Sequence, residues 1–163
     1  WHLARGQDRR RVSAHEPVKS ISKETTFGED TADREILDGH IWRLSEQVAD
    51  RAKAKGHSGR IVTLKLKRAD FTQLTRRVSL HEPTQLADRI YRNARALFDQ
   101  LDDSGPYRLI GCGLSDLSAA AGSDLSGDLL DPGAEKRSRA ERATDNIRTK
   151  FGKTAIVNGR ALR

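Results

Sequence analysis

Residues 60 to 80, RIVTLKLKRADFTQLTRRVSL, admit few folded states, because apolar and polar side chains alternate through two runs that meet at a polar turn. Val62, Leu64, Leu66, Leu74, Val78 and Leu80 fall on one parity, and Thr63, Lys65, Lys67, Gln73, Thr75, Arg77 and Ser79 on the other. Successive side chains of a strand point to opposite faces, so the stretch reads as a half-buried β-hairpin whose outer face carries hydroxyls and cations. Such a face suits a phosphate backbone. A charged outer face is also the default for an antiparallel sheet covered on one side only, so the hairpin alone leaves both readings open.

Charge points the same way. With 30 Lys and Arg against 23 Asp and Glu, the 163-residue chain carries a formal net charge of +7, which favours polyanionic partners. A single cysteine, Cys112, excludes an intramolecular disulfide and points to a reducing, cytoplasmic setting. No apolar run approaches the roughly 20 residues that span a bilayer, so no membrane partner is expected. The chain begins at Trp1 rather than methionine, which reads as a fragment of something longer, and a monomer is expected.

Residues 1 to 17 are polar, basic and aperiodic, as in a linker or the end of an upstream domain. The alternation of KSISKETTFGED (19 to 30) predicts a strand. Leu37, Ile41, Leu44, Val48 and Ala52 then recur at helical spacing, predicting a helix from Asp33 to Lys55 with Asp30 or Thr31 as its cap and Gly56 as its stop. After the hairpin, Leu86, Ile90, Ala94, Leu97 and Leu101 predict a second helix beginning near Pro83. YRLIGCGLSDL (107 to 117) supplies a fourth strand. The order βαββαβ predicts an α+β, ferredoxin-like domain over residues 18 to 117: a four-stranded antiparallel sheet with two helices on one face and the other face open.

RNA recognition motifs share that arrangement and place aromatic rings on the central strands to stack unpaired bases. Here those positions hold Thr63, Lys65, Thr75 and Arg77. Hydroxyls and cations without stacking platforms suit the backbone of a duplex better than a single strand.

Several motifs, in order, resemble the C-terminal part of Y-family translesion DNA polymerases, most closely the bacterial polymerase IV group. LARGQD (3 to 8) is similar to the end of that family's thumb, and KSISKETTFGED to its Lys-Ser-x-x-x-Glu-x-Thr-Phe strand. FTQLTRRVSL (71 to 80), YRLIGCGLSDL and ERATDNIRTKFG (141 to 152) also match. The resemblance implies that residues 18 to 117 are a little finger domain, which in this family grips primer-template duplex DNA through its backbone. It implies DNA contacts at Ser20, Ser22, Lys23 and Thr26, at Thr75, Arg76 and Arg77, and at Arg108; Lys19, which opens the first strand's motif, is a further candidate contact. Strand parity independently favours Ser20, Ser22, Thr26, Thr75 and Arg77, whereas Lys23, Arg76 and Arg108 share the parity of the helix-facing residues. Arg60, Thr63, Lys65 and Lys67 come from the strand pattern alone. Ser22 departs from the family's pattern and offers a hydroxyl of its own.

No catalytic residue and no metal site is expected in this chain. The resemblance places magnesium, on carboxylates, in the palm of a longer parent upstream of Trp1. Glu29, Asp30 and Asp33 precede a helix, where capping explains them. His2, His15, His40, His57 and His81 lack ligand spacing, and Cys112 lies in an apolar strand.

Residues 118 to 133 are small, polar and acidic, as in a flexible linker. The family often carries a sliding-clamp peptide there. DLSGDLL (124 to 130) matches it weakly, offering Leu125, Leu129 and Leu130 to a clamp pocket or to local packing. Residues 134 to 163 form a basic helix and tail whose stripe of Ala140, Ala143, Ile147 and Phe151 calls for a partner, the alternatives being docking on its own domain or nonspecific attraction to DNA. Other readings of the whole chain are a stand-alone nucleic-acid-binding protein, for RNA or duplex DNA, and a small basic enzyme on the same fold.

Overall fold

The computed structural model describes residues 2–8, 17–120, 124, 133–152 and 154–159. Strand β1 (Ser20–Thr31) leads to helix α1 (Arg34–Ala54), hairpin β2 (His57–Arg68) and β3 (Gln73–Thr84), helix α2 (Ala87–Asp99), strand β4 (Tyr107–Ala119) and helix α3 (Ala134–Phe151). The first six elements follow the ferredoxin-like βαββαβ order. The sheet is antiparallel throughout, with lateral order β1-β4-β2-β3.

That order corrects one expectation. Strands β4 and β2 are central and β3 is an edge, so Thr75 and Arg77 sit on an edge strand rather than mid-sheet. The hairpin gives β2 one neighbour, and β4 takes its other edge, pairing from His57 to Arg68. Pro83 belongs to β3 rather than to the start of α2. An edge strand leaves one row of backbone N–H groups unpaired, so a residue without an N–H is tolerated there.

Alternation drives the layering. Ile21, Val62, Leu64, Leu66, Ile110, Cys112 and Leu114 lie beneath Leu37, Ile41, Leu44 and Val48 of α1 and Ile90 and Ala94 of α2, all buried. Each such aliphatic side chain contributes about 1.5–3 kcal/mol by leaving water. Trp42 meets Tyr91 edge-on at 5.1 Å, and the Tyr91 hydroxyl donates to Asp38 at 2.7 Å, joining the two helices. Helix α1 is capped by Asp33, whose Oδ1 accepts from the N–H groups of Glu35 (2.8 Å) and Ile36 (3.2 Å), not by Asp30 or Thr31. Thr31 still ends β1, and its hydroxyl accepts from the Asp33 N–H instead. Gly56, with φ of 63°, follows the helix end in the left-handed conformation that closes such termini.

Helix α3 docks on the helical layer, away from the open sheet face, and it does so with the stripe opposite to the one expected. Ala140, Ala143, Ile147 and Phe151 face solvent. Arg137 pairs with Asp88, Glu141 and Asp145 with Lys53, and Arg148 with Glu46. The Glu141 carboxylate also accepts from the N–H groups of Ala87 and Asp88, capping α2, which has no side-chain cap of its own. Burial works against the Lys53 charge, yet Glu141 and Asp145 more than offset it and hold the ammonium above its ordinary range. Removing it leaves two half-buried carboxylates facing each other. Lys53→Ala is therefore expected to lower unfolding free energy by about 2 kcal/mol, below the full cost of breaking a buried pair because the site is partly wet. Denaturant titration checks this; a loss under about 0.5 kcal/mol would mean that the pair behaves as a surface one.

No helix among the described residues is long and apolar enough to cross a membrane.

Candidate nucleic-acid interface

Register sorts the open face into four rows across the sheet. From β1 to β3 they run Ser20, Ser115, Ile61, Ser79; then Ser22, Gly113, Thr63, Arg77; then Glu24, Gly111, Lys65, Thr75; then Thr26, Leu109, Lys67, Gln73. The structure thus brings Ser20, Ser22, Thr26, Thr63, Lys65, Lys67, Thr75 and Arg77 onto one surface. Three cations stand there against one acid.

The middle of this surface is a trough. On β4 the open-face positions are Gly111 and Gly113, so no side chain rises between β1 and β2, which lie two strand spacings or about 10 Å apart. The space, about 320 Å³, is walled by Ser20, Ser22 and Glu24 on one side and Thr63, Lys65 and Arg77 on the other. A Cβ at Gly113 would come within 3.0 Å of Ser22 Cβ, and one at Gly111 within 3.0 Å of Glu24 Cβ. Across Gly111, Lys65 Nζ donates to Glu24 at 2.8 Å. This pair is half open to water and so exchangeable at little cost.

The remaining expected contacts divide. Lys23 is opposite Cys112 and Arg76 opposite Leu64, so both start from the helix-facing side. Arg76 is exposed and its guanidinium donates to the Thr75 carbonyl. Arg60 shares the parity of Val62 and lies at the irregular end of β2, outside the four rows. Lys19 is exposed, just before β1. Arg108 is the informative exception. Lys67 pairs with Leu109 and Arg68 with Tyr107, so Arg108 is the extra residue of a bulge, and simple parity does not apply to it. Its guanidinium lies 4.5 Å from the ring centre of Phe71, at the hairpin tip, and Lys67 Nζ lies 5.5 Å from the same centre. The bulge therefore brings Arg108 beside an open-face lysine. Leu125, Leu129 and Leu130 lie outside the described residues.

Sequence reasoning missed Gly111, Gly113 and Phe71 as parts of this surface. The signal for the trough was present, since Gly111, Gly113 and Ser115 recur at every second position of β4. Cys112, between the two glycines, faces the core. Burial pushes its thiol up to about 11, with the Ser45 hydroxyl and the Gly113 backbone opposing only in part. A pKa raised on folding favours the protonated form, so its contribution is complete below the unfolded value near 9 and is lost as pH rises towards 11. Cys112→Ala is expected to flatten the stability-versus-pH curve across that window, as thermal melts would read; an unchanged curve would contradict the assignment.

Among the described residues no three His, Cys, Asp or Glu side chains gather as a metal-ligand set. The magnesium implied for the longer enzymes has no donor set among them.

A family model for the impB/mucB/samB family C-terminal domain matches residues 18–127. The chain belongs to this family. The resemblance to Y-family polymerases drawn from its motifs is thereby upheld. Among relatives of this C-terminal domain, DNA polymerase IV of Brucella melitensis is 44% identical over 159 residues, which are 98% of this chain and 36% of that protein. DNA polymerase IV of Caulobacter vibrioides is 43% identical over 164 residues, covering 99% and 40%. The chain thus spans about two fifths of the length of these curated relatives. Among solved structures, a chimeric Y-family DNA polymerase aligns over 72% of this chain and 34% of its own, with TM-score 0.59 and 17% identity. A polymerase IV little finger domain, solved in complex with the beta-clamp processivity factor, aligns over 68% of this chain and 99% of its own, with TM-score 0.51 and 23% identity. The impB/mucB/samB C-terminal domain here shares their fold.

Proposed function

We propose that the open sheet face is a duplex-DNA grip, the little finger of a translesion polymerase whose catalytic part belongs to a longer parent. The observation that carries this reading is the register, which gathers Ser22, Thr63, Lys65, Thr75 and Arg77 around a glycine-floored trough while helices cover the other face. A floor without side chains lets a sugar-phosphate strand approach the sheet closely. Hydroxyls and long cations on both walls then reach its phosphates, without reading base edges. Backbone contact of this kind fixes position while tolerating an irregular template base, as lesion bypass requires. Magnesium and nucleotidyl transfer belong to the parent's palm in this proposal, and the primer-template duplex is the partner.

Fluorescence anisotropy of the 163-residue chain tests the grip. Duplex DNA is expected to bind more tightly than a single strand of equal length, with log K falling against log salt at a slope of about −3 for three or four phosphate contacts. Preference for single-stranded RNA would instead favour a stand-alone RNA-binding role.

A sliding clamp is a second proposed partner. It is supported by the relative solved with its clamp and by the leucines of residues 124 to 130. Loss of clamp binding on replacing Leu129 and Leu130 by alanine is the result this reading requires.

A further inference from the structure

Phe71 stands on the turn between β2 and β3 with 63% of its surface exposed and a backbone φ of 67°. An exposed phenyl ring gains nothing from burial, and a bulky residue in the left-handed region is uncommon. Yet the turn around it is tightly held. The Phe71 N–H donates to the Arg68 carbonyl at 3.0 Å, the Arg68 N–H to the Thr72 carbonyl at 3.0 Å, and Asp70 accepts from the Thr72 N–H at 2.9 Å. The Arg68 guanidinium is fixed in turn by Asp103. Hydrogen bonding to Arg68 keeps the Asp103 carboxyl below its ordinary range, so this anchor is charged at neutral pH.

The ring is presented with two cations. Arg108 lies 4.5 Å and Lys67 5.5 Å from its centre. Lys67 belongs to the last open-face row, with Thr26, Leu109 and Gln73, so the ring borders the trough's own surface. Cations alone would serve a phosphate. A ring carrying a guanidinium plane fits the face of a nucleobase, with the cations reaching the flanking phosphates. Bases inside a duplex are stacked and present no free face. From this placement we infer that Phe71 and Arg108 form a stacking platform for an unpaired nucleotide where the gripped duplex gives way to single strand. The inference rests on the duplex reading for its position, and on the ring for its chemistry.

The test uses the 163-residue chain and its Phe71→Ala and Phe71→Tyr variants. Both variants alter one exposed side chain in a turn held by backbone bonds and by Asp70. The probes are a blunt DNA duplex and the same duplex with a single-stranded extension carrying 2-aminopurine at the first unpaired position. Phe71→Ala is expected to weaken the extended duplex about fivefold or more, to leave the blunt duplex within about twofold, and to abolish the 2-aminopurine quenching, with the salt slope unchanged. Phe71→Tyr, which keeps the ring, is expected to restore both affinity and quenching. Equal losses on the two probes would make Phe71 a duplex contact or a hairpin support, and no loss on either would leave the ring to a protein surface; both overturn the platform. Phe71-dependent binding of the extension by a chain that ignores the blunt duplex would uphold the platform and overturn the duplex grip.

Discussion

Replacing Lys65 and Arg77 together by alanine is expected to weaken duplex binding by roughly tenfold to a hundredfold near 0.1 M salt, and to flatten the salt slope by about two units. The two residues lie in adjacent open-face rows, on β2 and β3. Lys65 is held by Glu24 in the free domain, but that pair is exposed, and exchanging a carboxylate for a phosphate costs little. The loss should be the same for every sequence, because phosphates carry no sequence information. Arg76→Ala is the control. Family resemblance assigns Arg76 a contact as readily as Arg77, whereas register sets it opposite Leu64 on the helix side. Affinity within about twofold of the parent is expected for Arg76→Ala, and a loss as large as that of Arg77→Ala would mean that the face has been misassigned.

Gly113→Val is expected to reduce duplex affinity about tenfold or more while leaving the domain folded. Valine suits a strand, and the crowding it brings falls on Ser22 Cβ, 3.0 Å from the new Cβ, with a stability cost of about 1–3 kcal/mol. What it removes is the trough. A strand lifted away from the floor loses reach to the hydroxyls of Ser22 and Thr63 together, so more than one contact fails at once. Anisotropy and thermal melting on the same preparation separate the two effects. A folded variant that binds duplex as tightly as the parent would show that the glycine floor is not the contact.

Much of this was legible because alternation and helical spacing are local. The parities of Val62, Leu64, Leu66 and of Thr63, Lys65, Lys67 placed the core and the open face correctly, and Gly56 and Gly152 marked helix ends. Lateral strand order is a non-local property, and no periodicity within FTQLTRRVSL shows that its strand has only one neighbour. The uncharged run from Leu109 to Leu114 sets β4 apart, although the equally central β2 carries Lys65 and Lys67 on its open face. Arg108 escaped parity because a bulge inserts one residue and reverses the side its chain takes. Phe71 escaped because a turn has no period. Helix α3 misled for another reason: its apolar stripe was readable, but the partners that decided the docking were Lys53, Glu46 and the uncapped start of α2, all distant in sequence.

Amide chemical-shift mapping of the domain titrated with duplex DNA tests the central claim most directly. Perturbations are expected at Ser22, Thr63, Gly111, Gly113 and Arg77, with α1 and α2 unmoved. Shifts confined to the basic outer side of α3, with the open face silent, would contradict the account.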